Sequence, residues 1–206
     1  MPTSPGPLLQ SLNELWQRLR ERLPDLPSVR IAISPSPPSS DHGQERWTRE
    51  EDETVSGLVV SADTLREGDE ALLTCILHEA AHLLCWVRGK QDTATRGAYH
   101  NATYLTAAEE VGLIWPADKA RVQGRGYPDP ELTDELRDLY KDDLIALSEA
   151  IPQVLPHLVI PDTQKPSRPD RLTIECQCTP PRKLRISQTV LARGPITCGV
   201  CGQSFA

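Results

Sequence analysis

Apolar residues recur at helical spacing over residues 8–23, where Leu8, Leu12, Leu15, Trp16 and Leu19 share one side. That stretch reads as an amphipathic helix. The period then shortens: β-branched Val29, Ile31 and Ile33 alternate, and Leu58, Val59 and Val60 fill residues 57–61, so both segments read as strands. Between them, residues 35–54 carry three prolines and many charges and read as a polar, mobile loop. Residues 69–87 are apolar almost all round, the pattern of a buried helix. A second helical run covers 101–111 and stops at Gly112. After a loop over 115–130, Leu132, Leu136, Leu139, Tyr140, Leu144 and Leu147 recur at helical spacing, as in a helix packed on the domain. The proline-bearing stretch 156–170 reads as a linker, which divides the chain into a domain over 1–155 and a small module over 171–206.

The buried helix contains a conspicuous exception to its own pattern. Apart from two cysteines, His78, Glu79 and His82 are the only ionisable residues from 72 to 87. Burying them is costly unless they are paired or hold a metal. Two histidines four apart lie one turn apart on one face, so both imidazoles reach one ion with the glutamate beside it, the HExxH arrangement. Cys75 and Cys85 also lie near that face. They read as packing residues, since free cysteine behaves as a small hydrophobe and one straight helix cannot supply a tetrahedron.

A catalytic zinc takes three protein ligands and keeps an open position. Of the remaining histidines (His42, His100 and His157), His100 is the best third candidate, because the polar loop over 89–97 lets the chain turn back and present it. Glu109 and Glu110 are carboxylate alternatives more than two turns further on. His42 and His157 read as solvated. The metzincin pattern fails, since Cys85 and Arg88 stand where it needs glycine and histidine. With such a zinc, Glu79 reads as the general base of peptide hydrolysis, and Tyr104 and Tyr127 are candidates for stabilising the oxyanion.

The tail holds Cys176 and Cys178, then, after 19 residues, Cys198 and Cys201. Two close pairs across such a gap read as a four-cysteine structural zinc site. Segments 184–186 and 189–191 read as short strands, and together with the cysteines they suggest a zinc ribbon too small to fold without its metal.

Aromatic content of 4% makes the core mainly aliphatic. No secretory segment or membrane span is read from the sequence, and a cytoplasmic location is the expectation, in keeping with metal-type cysteine spacing. Charge is uneven. The chain carries −7, yet residues 161–206 hold seven Lys/Arg against three Asp/Glu, net +4, so residues 1–160 carry −11. Arg182, Lys183, Arg185 and Arg193 are therefore candidate contacts to nucleic-acid phosphates or an acidic partner.

HEAAH at 78–82, His100 ahead of a helix and the C-terminal four-cysteine pattern together resemble SprT-like zinc metalloproteases, the Spartan-type group. The resemblance covers 57–112 and 176–205, about 40% of the chain. It places the helix ligands at His78 and His82, the catalytic glutamate at Glu79 and the third ligand at His100. In that family the third histidine is usually followed by glycine and, four residues on, by an aromatic. Tyr104 keeps the aromatic, and Asn101 stands in place of the glycine. The resemblance implies an α+β, zincin-like (minigluzincin-type) helical core with a small β-sheet, plus the zinc ribbon. It also implies two zinc ions, one catalytic and one structural, and cleavage of protein substrates associated with or crosslinked to DNA. The contrasting expectation is a nucleic-acid-associated zinc protein whose HExxH site is structural or inactive.

Overall fold

The computed structural model describes residues 6–36, 44–95, 97–158 and 171–205. His42, residues 37–43 of the polar loop and residues 159–170 of the expected linker lie outside them. The chain forms two compact units, Met1–Ile160 and Pro161–Ala206. The architecture is mixed α and β with small sheets.

In the first unit, helix α1 (Gly6–Arg22) buries the predicted stripe of Leu8, Leu12, Leu15, Trp16 and Leu19. Strand β1 (Val29–Ser34) runs parallel to β3 (Val55–Ser61), and β2 (Thr48–Arg49) pairs antiparallel with the start of β3. The order β1-β3-β2 makes β3 the central strand. Its register with β1 slips by one residue at Gly57, which is skipped between Arg30↔Ser56 and Ile31↔Leu58. Such a bulge suits glycine, and here φ is +124°.

A short helix α2 (Ala62–Glu67), capped by Ser61, leads into α3 (Asp69–Val87). Helix α3 has the predicted bounds and packs against α2, α4 (Ala102–Val111), α6 (Lys141–Val154) and β3. By length and composition it is the one described helix that could cross a membrane. In this fold it is the central helix of the core, which fits its nearly uniform apolar surface. The Leu132–Leu147 periodicity resolves into two helices, α5 (Asp134–Leu139) and α6, which meet at Tyr140. Helix α6 also packs on α1, and there the buried Asp143 is paired with Arg18 at 2.9 Å.

Half of the supposedly mobile loop is structured. Residues 44–46 form a 3-10 turn, Trp47 is 5% exposed, and β2 follows. The polar composition hid this because the turn buries one indole and uses its polar side chains on the domain.

In the second unit, β6 (Arg171–Glu175) and β7 (Lys183–Ser187) form an antiparallel hairpin. The expected strand over 189–191 is instead one helical turn, α7 (Gln188–Leu191), started by the Ser187 hydroxyl, which accepts from the Val190 amide. The apolar interior of this unit is small: Ile174 and Ile186 are its buried aliphatic side chains among the described residues, beside Cys176 and Cys198.

Candidate metal centres

Three imidazoles converge in the first unit. His78 and His82 come from adjacent turns of α3, and His100 comes from β5 (Tyr99–His100), which pairs with β4 (Thr93–Ala94) in a tight hairpin. His82 Nε2 lies 3.0 Å from His78 Nε2 and 3.2 Å from His100 Nε2. Nitrogens about 2.0–2.1 Å from a tetrahedral zinc would be about 3.3 Å apart, so the observed triangle fits one ion with little adjustment.

Protonation points the same way. Burial, then the neighbouring His82, His100 and Arg46, holds His78 well below its usual range. His82 is lowered by burial, Arg46 and His100, and His100 chiefly by burial. Each shift favours the neutral ring, the form that binds a metal. Asp92 is fully buried, accepts from Gln44 Nε2 at 2.7 Å, and lies 2.6 Å from His82 Nδ1. An acceptor carboxylate there places the His82 proton on Nδ1 and leaves the Nε2 lone pair facing the cluster. The fully buried Tyr104 brings its hydroxyl within 2.6 Å of His78 Nδ1, so it can accept from that ring in the same way. Lone pairs facing one another across about 3 Å repel unless an electrophile sits between them. The donor set therefore fits a metal ion.

One hairpin supplies both a candidate ligand and its support. Asp92 immediately precedes β4, and its carbonyl accepts from the Asn101 amide at 2.9 Å, directly after His100. Asn101 then caps α4, its Oδ1 accepting from Thr103 and Tyr104, while its Nδ2 donates to Gln91 O. Asn101 thus ties His100 to both Asp92 and Tyr104. On the other side, the His100 amide donates to Arg125 O at 2.9 Å and its carbonyl accepts from Tyr127 at 3.1 Å. Gly126 passes so close that a Cβ there would lie 1.9 Å from His100 O, at φ +72°. Gly126→Ala should therefore displace His100. We expect it to lower stability by more than about 1 kcal/mol and to weaken zinc binding at the histidines about tenfold or more. Chelator-competition titration and urea unfolding measure both, and the cysteine site serves as the unaffected control.

Glu79 projects from α3 beside the cluster and is paired with Arg46. Burial raises its carboxyl, and the Arg46 charge and hydrogen bond oppose that rise. The other sequence candidates separate cleanly. Glu110 pairs with Arg88 at 2.6 Å and Glu109 is exposed, so neither joins the histidines. His157 is exposed on the 3-10 turn Leu155–His157. Burial pushes both the Cys75 and Cys85 thiols up to about 12, and the Cys85 thiol donates to Thr103 O, so both act as neutral packing groups. Tyr104 is committed to His78 and does not stand free for an oxyanion. Sequence reasoning missed Asp92, Gln44 and Arg46, whose only signal was polarity in segments that read as loops.

In the second unit the sulfurs of Cys176, Cys178, Cys198 and Cys201 all lie within 4.8 Å of one another, with none paired as a disulfide. Cys178 and Cys198 Sγ are 3.8 Å apart, the separation expected when sulfurs lie about 2.3 Å from a tetrahedral zinc. The Cys201 and Val200 amides point at Cys198 and hold its thiol down to about 6, so a thiolate is favoured there. Both clusters can hold metal ions and both are compatible with zinc.

The four basic residues differ in their surroundings. Lys183 pairs with Glu175 at 2.9 Å, and Arg182 Nη1 lies 3.9 Å from Cys198 Sγ, while its amide donates to Cys176. Arg185 and Arg193 are exposed and have no ion pair among the described residues.

No family model matches this chain, and no curated protein or solved structure matches it.

Proposed function

We propose that the chain is a zinc-dependent metallopeptidase of the SprT-like kind, with a catalytic zinc on His78, His82 and His100 and a structural zinc on Cys176, Cys178, Cys198 and Cys201. The observation that carries this reading is the meeting of three imidazole Nε2 atoms near a mostly buried glutamate one residue from the first of them. A purely structural site would be closed by a fourth protein ligand, whereas only three histidines of the first unit meet here among the described residues. Zinc bound there would supply Lewis acidity for water and for the scissile carbonyl.

The remaining work falls to the protein. Glu79 takes the proton of the attacking water and delivers it to the leaving amine nitrogen. Asp92 and Tyr104 fix the tautomers and planes of His82 and His78 through their Nδ1 atoms. Packing of α4 on α3 holds Tyr104 against His78.

The proposed substrates are proteins associated with DNA. This rests on the SprT-like resemblance and on the net positive charge of the C-terminal module, whose exposed Arg185 and Arg193 are the freest phosphate contacts. A cytoplasmic setting belongs to the same reading, supported by six free cysteines. The test uses full-length protein, labelled casein and a DNA-binding protein with and without DNA. Cleavage is expected to stop with chelator and return with zinc. Metal analysis is expected to give two zinc ions per chain, falling to one or binding one weakly in His100→Ala. Absence of cleavage in every arm, with salt-sensitive DNA binding by residues 161–206, would favour the non-proteolytic, nucleic-acid-associated protein. Two tightly held zinc ions in His100→Ala would reject His100 as a ligand.

A further inference from the structure

Residues 44–47 form a strap that touches both carboxylates of the histidine site. The Trp47 amide donates to Gln44 O at 3.1 Å, closing the turn. Gln44 Nε2 donates to Asp92 Oδ1 at 2.7 Å and to Lys90 O at 2.8 Å. Arg46 Nη2 donates to Glu79 Oε2, and its guanidinium carbon lies over the Trp47 ring, 4.6 Å from the centroid. The strap is seated on the β-bulge. A Cβ on Gly57 would lie 2.5 Å from Arg46 O and 2.9 Å from Cε3 of Trp47, so this path exists because residue 57 has no side chain.

This contact differs from an ordinary surface ion pair. The side chains are 26% and 14% exposed for Arg46 and Glu79, so screening is weak and the geometry is held. A glutamate on a helix has three rotatable bonds, and a base misplaced by about 1 Å can lose about 100-fold in rate. The planar guanidinium, stacked on an indole that is itself buried, restricts Glu79 through one oxygen, Oε2. No protein donor reaches Oε1 among the described residues, which leaves that oxygen for a water. Arg46 Nε is buried without a hydrogen-bond partner, so the side chain occupies its place despite one unsatisfied donor.

We propose that Arg46 is a positioning residue for Glu79, carried by a strap that Gln44 anchors to Asp92 behind His82. The inference rests on the peptidase reading and assigns a role to a segment that the reading itself leaves unused. Gln44 acts on the metal ligand and Arg46 on the base, so their substitutions should move different quantities.

The experiment uses full-length zinc-loaded protein with fluorescein-labelled casein, and cobalt-loaded protein titrated with acetohydroxamate by visible absorption. Arg46→Ala is expected to lower kcat about 10- to 100-fold, with KM and zinc content unchanged. Added guanidinium ion should restore part of kcat, and Arg46→Lys should fall between the two. Acetohydroxamate, which needs the ordered carboxylate beside the metal, should bind Arg46→Ala about tenfold more weakly. Gln44→Ala is expected instead to weaken zinc affinity, by up to about tenfold, the low end for groups that support a metal ligand. Unchanged kcat and hydroxamate affinity in Arg46→Ala would overturn the proposal. So would a rise in kcat, which would make the strap a brake, or equal losses of zinc and thermal stability in both variants without guanidinium rescue. Should casein not be cleaved at all, the hydroxamate titration alone decides the role of Arg46. Wild-type cleavage by Glu79→Gln would refute the peptidase mechanism itself, whereas an inactive Glu79→Gln with an unaffected Arg46→Ala refutes only the role of Arg46.

Discussion

Glu79→Gln is expected to lower casein hydrolysis by about 10²- to 10⁴-fold, the range for removal of a general acid–base group, while both zinc ions stay bound. The substitution keeps the size of the side chain and none of its basicity. Glu79 is not among the three imidazoles that form the metal cluster, so the ligand set is untouched. The change also removes the charge that pairs with Arg46, leaving a mostly buried guanidinium with a neutral amide oxygen. A hydrogen bond to a charged group contributes about 1.5–3 kcal/mol, so a measurable fall in stability accompanies the loss of activity. Metal analysis, urea unfolding and a cleavage assay on one preparation separate the three effects. Hydrolysis at the wild-type rate, with metal intact, would remove Glu79 from the mechanism.

The second large effect belongs to the cysteine site. Cys198→Ser is expected to unfold residues 171–205 and to lower the zinc content from two per chain to one, leaving the first unit folded. Cys198 is the most buried of the four cysteines at 1% exposure, and its thiol is the one that backbone amides of Cys201 and Val200 hold down to about 6. Apart from a metal, this unit has, among the described residues, only a hairpin of two five-residue strands and a core of Ile174 and Ile186 to hold it. Such a core is too small to hold a module of this size folded by itself. Structural zinc binding contributes about 10–16 kcal/mol in small modules, so its loss decides the fold. Hydrogen exchange read by mass spectrometry should show amides of 171–205 losing protection and those of α3 keeping it. Protection of both units in the variant would show that the second unit folds on its side chains alone.

The two clusters of candidate metal ligands were legible to very different depths. His78 and His82 share a face because 3.6 residues make a turn, and Cys198 and Cys201 share a knuckle because two residues separate them. These are local consequences of spacing. Burial of α3 was equally plain, since a helix apolar on every side has only the core to go to. His100 could be proposed because few histidines remained, but nothing in its neighbours said that a hairpin would fold it back. The helical turn after Ser187 went unforeseen because three residues offer too little periodicity to separate a strand from a single turn.

The groups behind the histidines could not be read at all. Asp92 and Gln44 are separated by 48 positions, and Arg46 and Glu79 by 33. Their segments are polar because each residue is spent on the domain and not on solvent, and composition cannot distinguish those fates. Local spacing alone accounts for the central helix, for two histidines and four cysteines placed as candidate metal ligands, and for the amphipathic helix that covers the core, since each follows from the period of the backbone. Packing of the whole domain is what brings His100 to the other two imidazoles, sets Asp92 and Tyr104 against the His82 and His78 rings, and joins Arg46 to Glu79. Those contacts depend on chain crossings at Gly57 and Gly126, where two backbones approach more closely than a side chain would allow, and such approaches exist only once the whole domain has packed.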